Sequence, residues 1–337
     1  MAAQESRAHK VEAGAKPKAR PKPGSRPRAR ARKPLHPGLP GPRILDLVDV
    51  FLFLADARIP GTSVRLAAPF LTRKNKVYVL AKPDLADRRM TAEWLSFLSR
   101  DGTPGFAVDC RTGDGVEDLV RYLKEQKKDV DCKRRSGVLF RPVRLMLFGP
   151  PNVGKSSLAN RLLGTQKAPF GAKPGLTRGS HWLRGRGFLE VLDTPGVIET
   201  SQVKGEARMK LAAVWALQER GYDPQDVAFW LAQKIALAAQ ADGVTASDAG
   251  MLAAFQPDTA QARALACLED FGKRRGFLRH GGEVDLARAC TAFIQAFREG
   301  QLGRFTLERP WDSGKPEASA KLDGESSKTR PAEKKTE

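Results

Sequence analysis

Four cysteines, four histidines and three tyrosines in 337 residues leave little material for several kinds of chemistry. Cys110, Cys132, Cys267 and Cys290 stand far apart, without a Cys-x-x-Cys pair or a histidine at ligand spacing, so neither a zinc site nor a disulfide framework is expected. They read as small apolar side chains in a reducing compartment. No apolar run reaches the roughly 18 residues of a membrane-spanning helix, and the first residues lack the apolar stretch of a secretory signal. The expectation is a cytoplasmic protein with no membrane partner. Acidic residues are also scarce: 38 Asp and Glu face 58 Lys and Arg, for a formal net charge of +20. That balance points to a polyanionic partner.

The charge is uneven. Residues 1–34 carry eleven Lys and Arg against two Glu, interleaved with Pro, Ala and Gly. Such a segment buries too little apolar surface to offset its ordering entropy, so 1–42 is expected as a disordered basic tail. Its prolines would break an amphipathic targeting helix, and without aromatics it cannot stack on bases. Salt-sensitive phosphate contacts are what it can make. Residues 311–337, rich in Ser, Lys and Glu, read as a second disordered tail.

The stretch Gly149-Pro150-Pro151-Asn152-Val153-Gly154-Lys155-Ser156-Ser157 fits GxxxxGK[ST], and its setting fits too. An apolar strand, Val143 to Phe148, runs in, and a helix carrying Leu158, Leu162 and Leu163 runs out. Backbone N–H groups of such a loop, Val153 and Gly154 among them, cradle phosphates at a helix N-terminus. Lys155 would reach the outer phosphates, and the Ser156 hydroxyl, beside Ser157, would hold magnesium. Downstream, a strand from Leu189 to Leu192 ends in Asp193-Thr194-Pro195-Gly196. Strand-then-DxxG senses a terminal phosphate: Asp193 would hold magnesium through water, and the Gly196 N–H would touch the phosphate. Between the two motifs lies Gly171-Ala172-Lys173-Pro174-Gly175-Leu176-Thr177-Arg178-Gly179, with Thr177 placed to complete the magnesium site.

Three further strands precede the phosphate loop: Leu47 to Leu54, Lys76 to Leu80 and Gly105 to Val108. The helices Thr91 to Ser99 and Val116 to Lys128 alternate with them. This alternation predicts an α/β domain over 43–200, with a mainly parallel sheet, helices on both faces and ligands at the carboxyl ends of the strands. Val203 to Glu219, Pro224 to Gln240, Thr259 to Lys273 and Val284 to Arg298 show apolar residues at helical spacing, so an all-α C-terminal domain is expected over 201–310. Trp215, Phe229, Trp230, Phe293 and Phe297 are its expected core. Lys273, Arg274, Arg275, Arg279 and His280 form a basic turn, read as a contact for RNA phosphates.

Ala81-Lys82-Pro83-Asp84 resembles the NKxD motif of GTPases, in which the Asp accepts hydrogen bonds from guanine. Asp109-Cys110-Arg111 stands where GTPases place a loop whose backbone contacts the guanine oxygen. Both precede the phosphate loop, as in circularly permuted GTPases. Within that class the chain resembles the ribosome biogenesis GTPase A family, or YlqF type. The resemblance spans about Leu47 to Glu308: LVDVFLFLADARIP, AKPDLAD, GPPNVGKSSLANRL, KPGLTRG, DTPG, RGFLRHGGEVDL and LGRFTLE. It implies a P-loop GTPase that binds GTP and magnesium, assembles the large ribosomal subunit, contacts ribosomal RNA and is a monomer off the ribosome. Asn152 stands where potassium-activated GTPases help bind a monovalent cation.

Two departures bear on activity. Ala81 replaces the asparagine of NKxD, which should weaken the base contact and reduce guanine preference. Val197 stands where Ras-like enzymes place a water-orienting glutamine, and the histidine this family is thought to use in an N-terminal PGH stretch is replaced by Leu39, after Pro37-Gly38. His36, offset from that place, and His181 are the candidates to position the water. Slow intrinsic hydrolysis, raised by the ribosome, is expected. The alternative is a ribosome-binding factor whose degenerate nucleotide site does little catalysis.

Overall fold

The computed structural model describes residues 42–67, 75–132, 141–164, 181–193, 198, 200, 202–242 and 259–310. Six strands form one sheet: β1 (Val50–Asp56), β2 (Lys76–Ala81), β3 (Gly105–Val108), β4 (Val143–Phe148), β5 (His181–Gly185) and β6 (Leu189–Asp193). Their order is β3-β2-β1-β4-β6-β5, parallel except for β5, which runs antiparallel to β6. After a short turn of helix, α1 (Pro42–Leu45), the helices that flank the sheet are α2 (Pro60–Leu66), α3 (Arg88–Leu98), α4 (Val116–Cys132) and α5 (Lys155–Leu163).

The central strands are near-continuous apolar runs because both faces are covered. In β1, Val50, Leu52 and Leu54 pack with Leu119 and Leu123 of α4 and Leu158 and Leu162 of α5. The alternate residues Phe51 and Phe53 pack on the opposite face, with Trp94 and Leu98 of α3 and Val64 of α2. β1 starts three residues later than its apolar run suggests, since Leu47 closes a turn onto Ile44 and is 45% exposed. It also runs on to include Asp56.

From β1 the chain winds outward through β2 and β3, then returns to place β4 on the other side of β1. The crevice between the carboxyl ends of β1 and β4 is therefore the point where the strand order reverses, the favoured ligand position in an open α/β sheet. Gly149, which follows β4, sits there at φ +155, and a Cβ on it would lie 2.5 Å from the Leu54 carbonyl oxygen. Only glycine lets the loop pass so close to β1.

Among the described residues four α-helices follow: α6 (Gly205–Ala213), α7 (Pro224–Asp242), α8 (Ala260–Arg274) and α9 (Leu286–Arg298). Thr259 and Asp285 cap α8 and α9, accepting from the backbone N–H groups of Ala262 and Arg288. Leu211, Val227, Leu231, Leu268, Phe271, Phe293 and Phe297 share one core. The expected helix Val203 to Glu219 is cut short at Ala213. Ala216 N–H donates to the Leu211 carbonyl at 2.8 Å, and Trp215 takes the left-handed conformation at φ +70. Trp215 is consequently not core: it is 48% exposed, with the Arg298 guanidinium 5.5 Å from its ring centroid. Phe293 and Phe297 are buried, and Phe229 and Trp230 are packed against the core while partly exposed.

The helical core takes in apolar side chains from the other side of the molecule, Ile59 within it and Leu66 of α2 packed against it. Ile59, three residues beyond β1, is fully buried among Leu211, Phe297 and Phe305. The segment Leu302 to Glu308 runs back along the same stretch, with the Leu307 N–H on the Arg58 carbonyl at 2.8 Å and the Thr306 hydroxyl on that of Ala57. At its end the buried Glu308 carboxylate accepts from the Thr62 N–H and hydroxyl and pairs with Lys210 at 3.1 Å, while the Trp94 indole donates to its carbonyl. Burying a carboxylate costs little only when such donors surround it.

Candidate functional site

The loop from Gly149 to Gly154 is built by three left-handed residues, Gly149, Asn152 and Gly154. Gly154 is the N-cap of α5, and no side chain caps that helix. Its first N–H groups are therefore open to an anion. Lys155, half-buried, folds its ammonium onto the carbonyls of Gly149 (2.9 Å) and Pro150 (2.7 Å). Burial pushes its pKa down from 10.5 to about 8. A cation this desolvated, held by two loop carbonyls, is poised for an anionic ligand.

Lys82 joins the phosphate loop to the base side. It sits in the left-handed region at φ +57, immediately after β2. Its ammonium donates to the Asn152 carbonyl at 2.9 Å and lies 3.3 Å from Asp56. Burial would raise the Asp56 pKa, but the Arg58 and Lys82 charges and the Arg58 hydrogen bonds overcome it and hold the carboxyl near 2. Arg58 grips Asp56 by Nε and Nη2, both at 2.9 Å, and its guanidinium lies 5.2 Å from the Phe297 ring centroid. The DAR segment thus carries a buried ion pair that braces Lys82 from below, a role its sequence did not announce.

The expected base loop follows β3. The Asp109 carboxylate is turned into the loop itself, accepting from the Arg111 N–H (2.7 Å) and the Thr112 hydroxyl (2.9 Å). The Cys110 carbonyl accepts from Arg161 Nε at 2.9 Å, and Arg161 also bonds the Arg111 carbonyl. Burial, and then the Asp109 charge, push the Cys110 thiol up to about 11, so it serves as a neutral side chain. Asp84 is partly exposed, with Arg111 Nη2 at 3.4 Å. Ala81 is buried, and its carbonyl accepts from the Ala57 N–H.

These residues border a cavity of about 1450 Å³. Asp84, Asp109 and Cys110 line one end, and Val153, Gly154 and Ser157 the other. The helical region contributes Arg298 to Gly300, Gly303 and Arg304, a wall the sequence reading missed. Asn152 also reaches that region: its Nδ2 donates to the Trp215 carbonyl at 2.8 Å.

The sequence offers a divalent cation the Ser156 hydroxyl and the Asp193 carboxylate; Ser156 stands at the start of α5 and Asp193 at the carboxyl end of β6, which is paired with β4. A hydroxyl plus a carboxylate suits a hard ion that keeps several waters. Thr177, Gly196 and His36 lie outside the described residues, as do the tails. In the basic turn after α8, Arg274 pairs with Asp270 and Arg279 with Asp285 at 3.3 Å, while Arg275 bonds the uncharged Gln301. No helix among the described residues is long and apolar enough to cross a membrane.

The description "50S ribosome-binding GTPase" belongs to the family whose model matches residues 144–245. "Ribosome biogenesis GTPase A" of Priestia megaterium is 30% identical over 284 residues, covering 81% of this chain and 93% of that protein. The crystal structure of GNP-bound YlqF from T. maritima superposes with a TM-score of 0.56 at 25% identity, covering 80% of this chain and 95% of that one. The GDP-bound form of the same protein gives 0.54 at 26%, covering 80% and 98%.

Proposed function

The chain belongs to the ribosome biogenesis GTPase A family, and from that membership we propose that this GTP hydrolase assembles the large ribosomal subunit in the cytoplasm, contacting ribosomal RNA. The observation that carries the reading is Lys155: a half-buried ammonium with only loop carbonyls for partners among the described residues, at the open N-terminus of α5. The β- and γ-phosphates of GTP are the anions that fit it. Asp84 reads guanine once Arg111 yields it, with Cys110 and Arg111 offering backbone groups to the base.

Magnesium, held by Ser156, Thr177 and Asp193, would neutralise charge on the phosphates. Lys155 and the α5 N–H groups orient the phosphates, and Lys82 ties their loop to the base site. Gly196 and Thr177 would sense the terminal phosphate, so that GTP orders their loops into a ribosome-docking surface and hydrolysis releases it. His36 or His181 would orient the water. Potassium near Asn152 would add charge stabilisation. Residues 43–200 and 201–310 act as two domains clasped through Glu308 and Ile59, monomeric off the ribosome. The tails 1–42 and 311–337 extend from them. The basic tail 1–42 and Lys273, Arg274, Arg275 and Arg279 supply RNA-phosphate contacts.

The test is turnover of GTP against ATP by the full chain, with and without large ribosomal subunits, in magnesium and potassium. GTP-selective turnover stimulated by subunits is expected. Subunit binding with no stimulated turnover would make the protein an assembly scaffold with a degenerate nucleotide site instead.

A further inference from the structure

Six cations line the nucleotide cavity: Lys82, Arg111, Arg161, Arg186, Arg298 and Arg304. Five are committed. Lys82 is held by Asp56 and the Asn152 carbonyl. Arg111 pairs with Asp84, and Arg161 bonds the carbonyls of Cys110 and Arg111. Arg186 pairs with Glu117 at 3.2 Å. Arg298 bonds the Ala212 carbonyl at 2.8 Å and the Tyr222 hydroxyl at 2.7 Å. Arg304 alone of the six has no hydrogen bond or ion pair among the described residues.

Its position is fixed by its neighbours. The Phe305 N–H donates to the Leu85 carbonyl at 3.3 Å, which lays residue 304 beside residue 84. Gly300, from the same turn, is close enough to Leu85 that a Cβ would lie 2.8 Å from its Cδ2. Arg304 therefore stands at the end of the cavity that holds Asp84, far along the chain from the phosphate loop's own donors. That end lacks the side-chain amide an asparagine at 81 would bring, since Ala81 has no polar atom beyond its backbone.

We infer that Arg304 is a specificity-determining residue for the base, donating from its planar guanidinium to the O6 and N7 acceptors of guanine opposite the edge that Asp84 takes. Guanine offers two adjacent acceptors there, matched by the two parallel N–H groups of arginine, whereas adenine presents an amino donor that a guanidinium repels. The base pocket is thus made by both domains, and the loss at position 81 is offset from the helical side. This assignment rests on the reading of Asp84 as the guanine acceptor.

Binding of GTP and of 7-deaza-GTP, which lacks the N7 acceptor, should be compared by calorimetry in the full chain and in Arg304→Ala. The wild type should bind 7-deaza-GTP roughly tenfold more weakly than GTP, and Arg304→Ala should bind both with the same, weakened affinity. Arg304 is exposed and has no hydrogen bond or ion pair among the described residues, so the variant should fold, and an unchanged melting temperature checks that. Equal discrimination in both proteins overturns the proposal. So does an equal loss of both nucleotides with discrimination retained, which would mark Arg304 as a general phosphate-attracting charge. Arg304→Lys should keep the charge yet lose most of the discrimination. The underlying reading fails separately: Asp84→Asn should shift preference from GTP to xanthosine triphosphate, and no such shift would refute Asp84 while leaving the deaza comparison to judge Arg304.

Discussion

Lys155 carries its charge at a cost that a ligand can remove. With its pKa pushed down to about 8, the ammonium is partly neutral in mildly alkaline solution, and phosphates that favour the charged form must raise that value. Nucleotide binding is therefore expected to take up a proton above pH 8, and affinity to fall as pH rises further. Calorimetry at pH 8.5 in two buffers of different ionisation enthalpy reads the proton directly, and Lys155→Ala should lose both the uptake and roughly ten- to hundredfold in affinity. The linkage to folding has the opposite direction. Without nucleotide, the unfolded lysine keeps its proton up to about 10.5 while the folded one releases it near 8, so stability of the free protein should rise across that interval.

Among the elements, the phosphate loop has contacts on both sides of the molecule. Asn152 gives its backbone carbonyl to Lys82 and its amide nitrogen to Trp215. Asn152→Ala should leave the fold intact and lower stability by about 1 kcal/mol, as seen in the denaturation midpoint. If potassium binds beside this residue, the variant should also lose any advantage of potassium over sodium in turnover. The five parallel strands and the loop were legible in the sequence because their signals are local: an apolar run, a glycine-rich turn, then a helical spacing; the antiparallel β5 was not, since His181 to Gly185 carries no apolar run. Thr259 and Asp285 could be read nearly as well, as caps at the start of apolar periodicity. Trp215 could not, because its helical spacing gives no warning that the backbone turns left-handed two residues after α6 ends. The pairing of Arg111 with Asp84, and the wall of Arg298 to Arg304, depend on segments far apart in sequence, so neither leaves a local mark.

Over the whole molecule, Glu308 closes one of the longest of these connections, to Thr62 across 246 positions. Removing its carboxylate leaves Lys210 without its nearest buried partner and the Thr62 N–H without an acceptor. Glu308→Ala is expected to cost about 3–5 kcal/mol, the range for breaking a buried charged pair. Urea unfolding monitored by fluorescence checks this, since Trp94 donates to the same residue's carbonyl. Nucleotide affinity should fall with it, because Arg304 lies on the segment that Glu308 anchors. There is a further effect in time. A growing polypeptide emerges at about 5–20 residues per second and folds from its N-terminal side first. Thr62, Lys82 and the phosphate loop are all made well before Glu308, yet the cavity wall opposite Asp84 waits for residues 298–308. A newly synthesised chain can form its sheet early and still hold no complete nucleotide pocket until translation of this last segment.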